Sequence, residues 1–294
     1  MKAIELIGNT PVVQIPDTNI YVKLEKYNLG GSVKDRAVLY MLEDALKKGL
    51  IKEDTVLIEA SSGNTGIALA MLGALYQIPV TIVMPDSMSV ERRQLMRAYG
   101  AEVLLSEGAK GMSGAVAYME ELKKQDPHYL SLGQFDNEAN VKAHYETTGV
   151  EILKQVPDLD VFVACAGTGG TFSGVAKRLK EEKPQVRTII GEPSGSAILS
   201  GHKPGGHKIQ GIGANFVPSI LKRELIDDIM LIEDEDAIKE TIAFVKQTGV
   251  LVGISSGANI ALAKRLAKYD PKQVIVTIAP DGGEKYLSVL PFGK

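Results

Sequence analysis

The chain has 294 residues, 45% hydrophobic and 23% charged, enough to bury one large or two medium cores. A formal net charge of −3 gives no basic field for nucleic acid or an anionic membrane, and the single cysteine, Cys165, excludes an internal disulfide framework and suits the reducing cytoplasm. The four histidines, His128, His144, His202 and His207, fall in no metal-ligand spacing, so no metal site is expected.

In chain order, "MKAIELIGNTPVV" lacks the apolar run of a signal peptide. The stretch "GGSVKDR" at 30–36 opens a helix that Ser32 can cap, with Val33, Ala37, Val38, Met41, Leu42, Ala45 and Leu46 as its apolar positions and Gly49 as its stop. Lys34 then lies in the first turn, where the helix dipole opposes a cation by about 0.3–1 kcal/mol. The same field favours the neutral amine, the form that attacks a carbonyl to make an imine. Taken alone, such a lysine reads as a solvated surface residue.

"TVLIEA" (55–60) reads as a buried strand and "GIALAMLGALYQ" (66–77) as a helix. The loop between them offers Ser61, Ser62, Asn64 and Thr65 around free helix N–H groups, which suits a small carboxylate. Ordinary capping needs only one such residue. The apolar window 67–84 approaches a membrane span in length, but Gln77 and Pro79 divide it into helix, turn and strand. "VTIVMP" (80–85) is the next strand, "SVERRQLMRAYG" (89–100) a helix, "AEVLL" (101–105) a strand and "GMSGAVAYMEELKKQ" (111–125) a helix.

"VFVACA" (161–166) is a strand that runs into Gly167, Thr168, Gly169, Gly170 and Thr171 and then a helix. Glycines let backbone N–H groups converge on an anion, the helix N-terminus adds partial positive charge, and the two threonines add hydroxyls. This has the form of a phosphate cradle, yet Phe172 breaks the dinucleotide fingerprint and no Gly-Lys-Ser/Thr follows. The glycine-rich stretch 202–218 is the longest irregular segment and reads as a functional loop. "GISSGA" (253–258) matches G-x-S-x-G, with Ser255 as the nucleophile of a rival serine hydrolase. In that fold the histidine follows the serine, and none follows His207 here. Ser255 can equally serve as a neutral hydrogen-bonding group. "VIVTIA" (274–279) is a further strand. Strands alternating with amphipathic helices, in clusters near 50–135 and 158–285, imply an α/β fold of two domains with mostly parallel sheets covered by helices.

An imine-forming lysine, a phosphate cradle and a carboxylate loop together describe pyridoxal phosphate and an amino-acid substrate. The chain resembles the cysteine synthase (O-acetylserine sulfhydrylase) and cystathionine β-synthase family of fold-type-II pyridoxal-phosphate enzymes. The resemblance runs through "IGNTP", "KLEKYN", "GGSVKDR", "EASSGNTGIALAM", "MPDSMSVERR", "EGAKGM", "GTGGT", "HKIQGIGANFVP", "GISSGA" and "GEKYLS". It implies a tryptophan synthase β-like fold, with 38–138 as the smaller domain and 1–37 plus 139–294 as the larger. It implies that Lys34 holds pyridoxal 5′-phosphate, that Gly167, Thr168, Gly169, Gly170 and Thr171 bind its phosphate, and that Asn64 and Ser255 bind its ring. Ser61, Ser62, Thr65 and Gln134 would hold the substrate, with Gly211 bordering it.

The implied activity is synthesis of L-cysteine from O-acetyl-L-serine and sulfide through an α-aminoacrylate. Cysteine β-lyase, lanthionine synthase and cystathionine β-synthase activities share that intermediate. The family also suggests a homodimer and, in some members, binding of the C-terminal tail of serine acetyltransferase. Three departures stand out: Leu29 replaces the usual proline before "GGSVKDR", Ser61 replaces a threonine, and Asp281-Gly282 replaces a pair of serines.

Overall fold

The computed structural model describes residues 1–88, 90–287 and 290. Its strands are β1 (Val12–Gln14), β2 (Ile20–Leu24), β3 (Val56–Ala60), β4 (Val80–Pro85), β5 (Glu102–Ser106), β6 (Tyr129–Leu130), β7 (Val161–Cys165), β8 (Arg187–Pro193), β9 (Asp228–Ile232) and β10 (Ile275–Ala279). They form two sheets, ordered β1-β2-β10-β7-β8-β9 and β5-β4-β3-β6. Among the described residues β1 and β2 pair antiparallel and every other pairing is parallel. The expected α/β class with mostly parallel sheets is therefore the class observed.

Parallel strands need long crossovers, and helices supply them. They are α1 (Lys34–Lys47), α2 (Asn64–Tyr76), α3 (Val90–Ala98), α4 (Gly111–Gln125), α5 (Glu138–Ala143), α6 (Gly149–Gln155), α7 (Gly170–Glu182), α8 (Asp234–Thr248) and α9 (Ile254–Tyr269). A π-helical turn, His144–Thr148, joins α5 to α6. Strand periodicity sends alternate side chains to opposite faces. In the four-stranded sheet Leu57, Ile82 and Met84 pack with α1 and α2, whereas Ile58, Ala60 and Val83 pack with α4. The six-stranded sheet is covered by α8 and α9 on one face and by α6 and α7 on the other.

The order of strands fixes where a site can form. In the smaller sheet the chain runs β3, β4, β5 in one direction, then places β6 on the other side of β3. In the larger it runs β7, β8, β9, then places β10 on the other side of β7. At each reversal the loops leaving the carboxyl ends of two neighbouring strands diverge and open a crevice. The loops concerned are 61–63 after β3, 131–137 after β6, 166–169 after β7 and 280–282 after β10.

Helix α1 spans both units. Its later turns bury Val38, Met41, Leu42 and Ala45 with the core of the smaller sheet. Its first turn is tied to the larger one: Arg36 Nε donates to Glu25 Oε2 at 2.7 Å, and Arg36 Nη1 donates to Glu151 Oε1 at 2.6 Å. Lys23 adds an ion pair to Glu151 Oε2 at 2.6 Å and donates to Thr10 O at 2.6 Å. Buried charges survive only when paired and hydrogen-bonded, as these are. The arginine holds Glu25 down to about 2 despite its burial.

Candidate active site

Lys34 is the first residue of α1 and partly buried. Ser32 is close to its expected capping role: its Oγ accepts the Lys34 N–H at 3.2 Å, although Val33 occupies the formal cap position. Burial is the main force lowering the Lys34 pKa, and the Asp281 carboxylate partly opposes it. Desolvation thus favours the neutral amine, the same form that the helix dipole is expected to favour from the sequence.

The loop after β7 forms the second part. Lys34, Gly167, Thr168, Gly169, Thr171 and Gly211 line one cavity. Gly169 sits at φ +85°, a conformation that favours glycine. A Cβ on Gly167 would collide with the carbonyl of Gly211, so the 202–218 stretch lies directly over the cradle. Gly213 N–H fastens it there by donating to Ala166 O at 3.0 Å. Cys165 also lines this cavity, but burial pushes its thiol up to about 12, so it carries no thiolate at neutral pH.

Two side chains one helical turn apart hold the cradle's hydroxyls. Asn140 Nδ2 donates to Thr168 Oγ1 at 3.1 Å, and His144 Nε2 lies 3.2 Å from Thr171 Oγ1. Burial holds His144 down to about 3, so the ring is neutral at physiological pH. Its Nδ1 lies 2.9 Å from Thr148 Oγ1. If that hydroxyl donates to Nδ1, then Nε2 carries the hydrogen and donates to Thr171, leaving the Thr171 hydroxyl hydrogen free for an anion. Sequence reading missed Asn140 and His144; their i, i+4 spacing in "NEANVKAH" was the available signal.

The loop after β3, which the sequence leads one to expect as the carboxylate site, lies across the crevice. Ser61 Oγ accepts the N–H groups of Gly63 and Gly66 at 3.3 and 3.1 Å, which is ordinary capping and leaves its own hydrogen free. The Ser62 carbonyl accepts from Arg92 Nη1 at 3.1 Å. Thr65 Oγ1 donates to Gln134 Oε1 at 2.8 Å, and Asn140 Nδ2 donates to Gln134 O at 2.9 Å. The hydrogen-bonded path from Thr65 to Thr168 thus crosses from one sheet's loops to the other's.

Asn64 makes a second crossing. Its Nδ2 donates to Asp281 Oδ2 at 2.8 Å, and its Oδ1 accepts from Lys285 Nζ at 2.7 Å. Asp281 forms a bridge with Ser32, two residues before Lys34, and accepts from Tyr286 OH at 2.8 Å. Ser255 lies in the first turn of α9, only 3% exposed, and its hydroxyl makes no hydrogen bond to a described residue. A nucleophile elbow requires a strand before the serine. Here α8 and an irregular segment precede it, and no histidine among the described residues bonds to it. The serine-hydrolase reading is therefore discarded.

The donor set fits pyridoxal phosphate: a depressed amine, a glycine cradle too tight for a Cβ, two positioned hydroxyls and an unengaged buried hydroxyl. A family model described as pyridoxal-phosphate dependent enzyme matches residues 4–281. Cysteine synthase B of Campylobacter jejuni is 45% identical over 290 residues, spanning 98% of this chain and 97% of that protein. The crystal structure of a cysteine synthase from Entamoeba histolytica is similar with a TM-score of 0.94 at 42% identity, over 98% of this chain and 89% of that one. A hydrogen sulfide-producing enzyme from Fusobacterium nucleatum is similar with a TM-score of 0.92 at 49% identity, over 97% of this chain and 99% of that one. Similarity of this length and identity decides the matter: the chain belongs to the pyridoxal-phosphate dependent enzyme family.

Proposed function

We propose that this chain catalyses β-replacement on an amino acid, making L-cysteine from O-acetyl-L-serine and sulfide. The observation that carries the reading is the amine of Lys34, depressed by burial, lining the same cavity as the Gly167–Thr171 cradle. Pyridoxal phosphate, when bound, supplies a carbonyl carbon for amines and an electron-withdrawing ring that stabilises negative charge at the substrate Cα.

The chain's own residues supply the rest. Lys34 holds the cofactor through its amine and, once released by the incoming substrate amine, takes the Cα proton as general base. The amides of 167–171 and the hydroxyls of Thr168 and Thr171 hold the phosphate. Asn64 orients the ring through its hydroxyl substituent. Ser255, a neutral hydroxyl, meets the ring nitrogen without enforcing its protonation. Ser61, Ser62, Thr65 and Gln134 receive the substrate carboxylate, and the loop bearing Gly211 shields the reacting carbons from water. Acetate leaves from Cβ, and sulfide takes its place.

Similarity to the hydrogen sulfide-producing enzyme of F. nucleatum favours a second reading, in which cysteine is the substrate and sulfide the leaving group. The two separate when purified holoenzyme is supplied either with O-acetyl-L-serine and sulfide or with L-cysteine alone. The first reading expects faster cysteine formation than sulfide release. The reverse ratio favours the second, and neither product would overturn both.

The same reading takes residues 38–138 as a smaller domain that closes on 1–37 plus 139–294, and the active form as a homodimer, with the tail of serine acetyltransferase as a candidate competitor for the carboxylate loop. The lone free thiol Cys165 supports placing the enzyme in the cytoplasm. Among the described residues no helix is long and apolar enough to cross a membrane.

A further inference from the structure

A buried carboxylate stands directly behind the carboxylate-binding loop. Glu59, at the end of β3 two residues before Ser61, is only 7% exposed. Its Oε1 accepts from Gln134 Nε2 at 3.3 Å and its Oε2 from Ser131 Oγ at 3.3 Å. Gln134 Oε1 in turn accepts from Thr65 Oγ1 at 2.8 Å. A single chain of hydrogen bonds therefore runs Thr65 to Gln134 to Glu59, and each donor in it hands its hydrogen toward Glu59. With its hydrogen given to Gln134, Thr65 turns only lone pairs toward an incoming carboxylate.

An ionised carboxylate can only accept, whereas a protonated one can donate. We propose that Glu59 is the positioning residue of the substrate-carboxylate site, and that its proton reverses this chain and turns Thr65 into a donor to the substrate. In the reversed chain Glu59 O–H donates to Gln134 Oε1, Gln134 Nε2 donates to Thr65 Oγ1, and the Thr65 hydroxyl hydrogen goes to the substrate. The change is a half-turn of the Gln134 amide and one proton taken from solvent. The geometry is supported by the titration of the group. Burial raises Glu59 to about 7, with Gln134 and Ser131 opposing through hydrogen bonds, Lys123 of α4 opposing by its charge, and Asp136 reinforcing. An incoming carboxylate adds a second negative charge nearby and favours the protonated form further.

This inference rests on the reading of Ser61–Thr65 and Gln134 as the carboxylate site, and the test separates the two. The probe is L-alanine, an amino acid with no β-leaving group, titrated into holoenzyme and followed by cofactor absorbance between pH 6 and pH 8. Glu59→Gln carries an amide that can donate permanently to Gln134. At pH 6 it should bind L-alanine like the wild type, and at pH 8 about tenfold more tightly, because only the wild type loses its binding-competent fraction. Titration of the substrate amine and of Lys34 is shared by both proteins and cancels in the ratio. Thr65→Val supplies an independent arm: its weakening of L-alanine binding should be largest at pH 6 and shrink as the pH rises. Parallel pH profiles for the wild type and whichever variant folds would overturn the role of Glu59 while leaving the carboxylate site standing. If L-alanine fails to bind, or Thr65→Val leaves binding unchanged at pH 6, the site reading falls and takes the inference with it.

Discussion

Asn140 and Thr168 are joined by a 3.1 Å hydrogen bond whose donor, Asn140 Nδ2, also serves Gln134 O at 2.9 Å. One buried amide group thus ties the loop after β6 in the smaller sheet to the loop after β7 in the larger. Gly170 packs so closely against this side chain that a Cβ there would collide with it. On the proposed assignment, a single residue therefore holds both the amino-acid side and the phosphate side of the site.

Replacing Asn140 by Ala should loosen both sides. Each lost bond is worth about 0.5–1.5 kcal/mol, and the buried carbonyl left behind adds a desolvation cost. The expected result is a KM for the amino acid raised roughly five- to tenfold together with faster loss of cofactor on dialysis. Steady-state kinetics and absorbance of the dialysed protein check it. A change in only one of the two would contradict the shared-anchor account.

His144 should remain neutral across the working range. Its folded value of about 3 lies below the ordinary 6.5, so the unfolded chain binds the extra proton between those values. Stability from this group is present above about pH 6.5 and falls as the pH drops toward 3. Replacement of His144 by Gln, which keeps a donor and an acceptor, should flatten that acid-side loss in denaturant titrations run between pH 4 and pH 7. An equally steep loss in the variant would contradict the assignment.

Asp281 raises the Lys34 pKa against the stronger lowering by burial. Asp281→Asn removes that opposition, so the amine should lose its proton at lower pH than in the wild type. The rate at which apoenzyme takes up pyridoxal phosphate, plotted against pH, should shift to lower pH. A shift upward, or none, would count against a direct field between the two groups.

Arg36 is the cation between the buried carboxylate of Glu25 and the half-buried one of Glu151. Its replacement by Met leaves Glu25 buried without its main partner, a loss of about 3–5 kcal/mol for such a site. Urea unfolding should show it as a lower midpoint at unchanged slope. A loss below about 1 kcal/mol would place the network among pairs that contribute little.

Sequence made parts of this site legible for definite reasons. β4 and β10 are continuous apolar runs with β-branched residues, and the loops after β3 and β7 concentrate hydroxyls and glycines beyond what a turn needs. β8 was harder to see although it is buried, because charged Arg187 and the Gly191-Glu192-Pro193 end leave a short apolar signal. β1 and β6 are three and two residues long, too short for any period to register. Glu59 sat inside an apparently apolar strand, and its partner Gln134 is distant in sequence. The long-range contacts, Asn140 to Thr168 and Asn64 to Asp281, depend on strand order, which a single sequence does not disclose.

The central claim is that Lys34 carries the cofactor. Reduction of the holoenzyme with borohydride, followed by proteolysis and mass spectrometry, tests it most directly. The account expects the phosphopyridoxyl adduct on the peptide containing Lys34, and no such adduct on any peptide of the Lys34→Ala protein. An adduct on another lysine of the wild-type protein, or persistence of the adduct in Lys34→Ala, would contradict it.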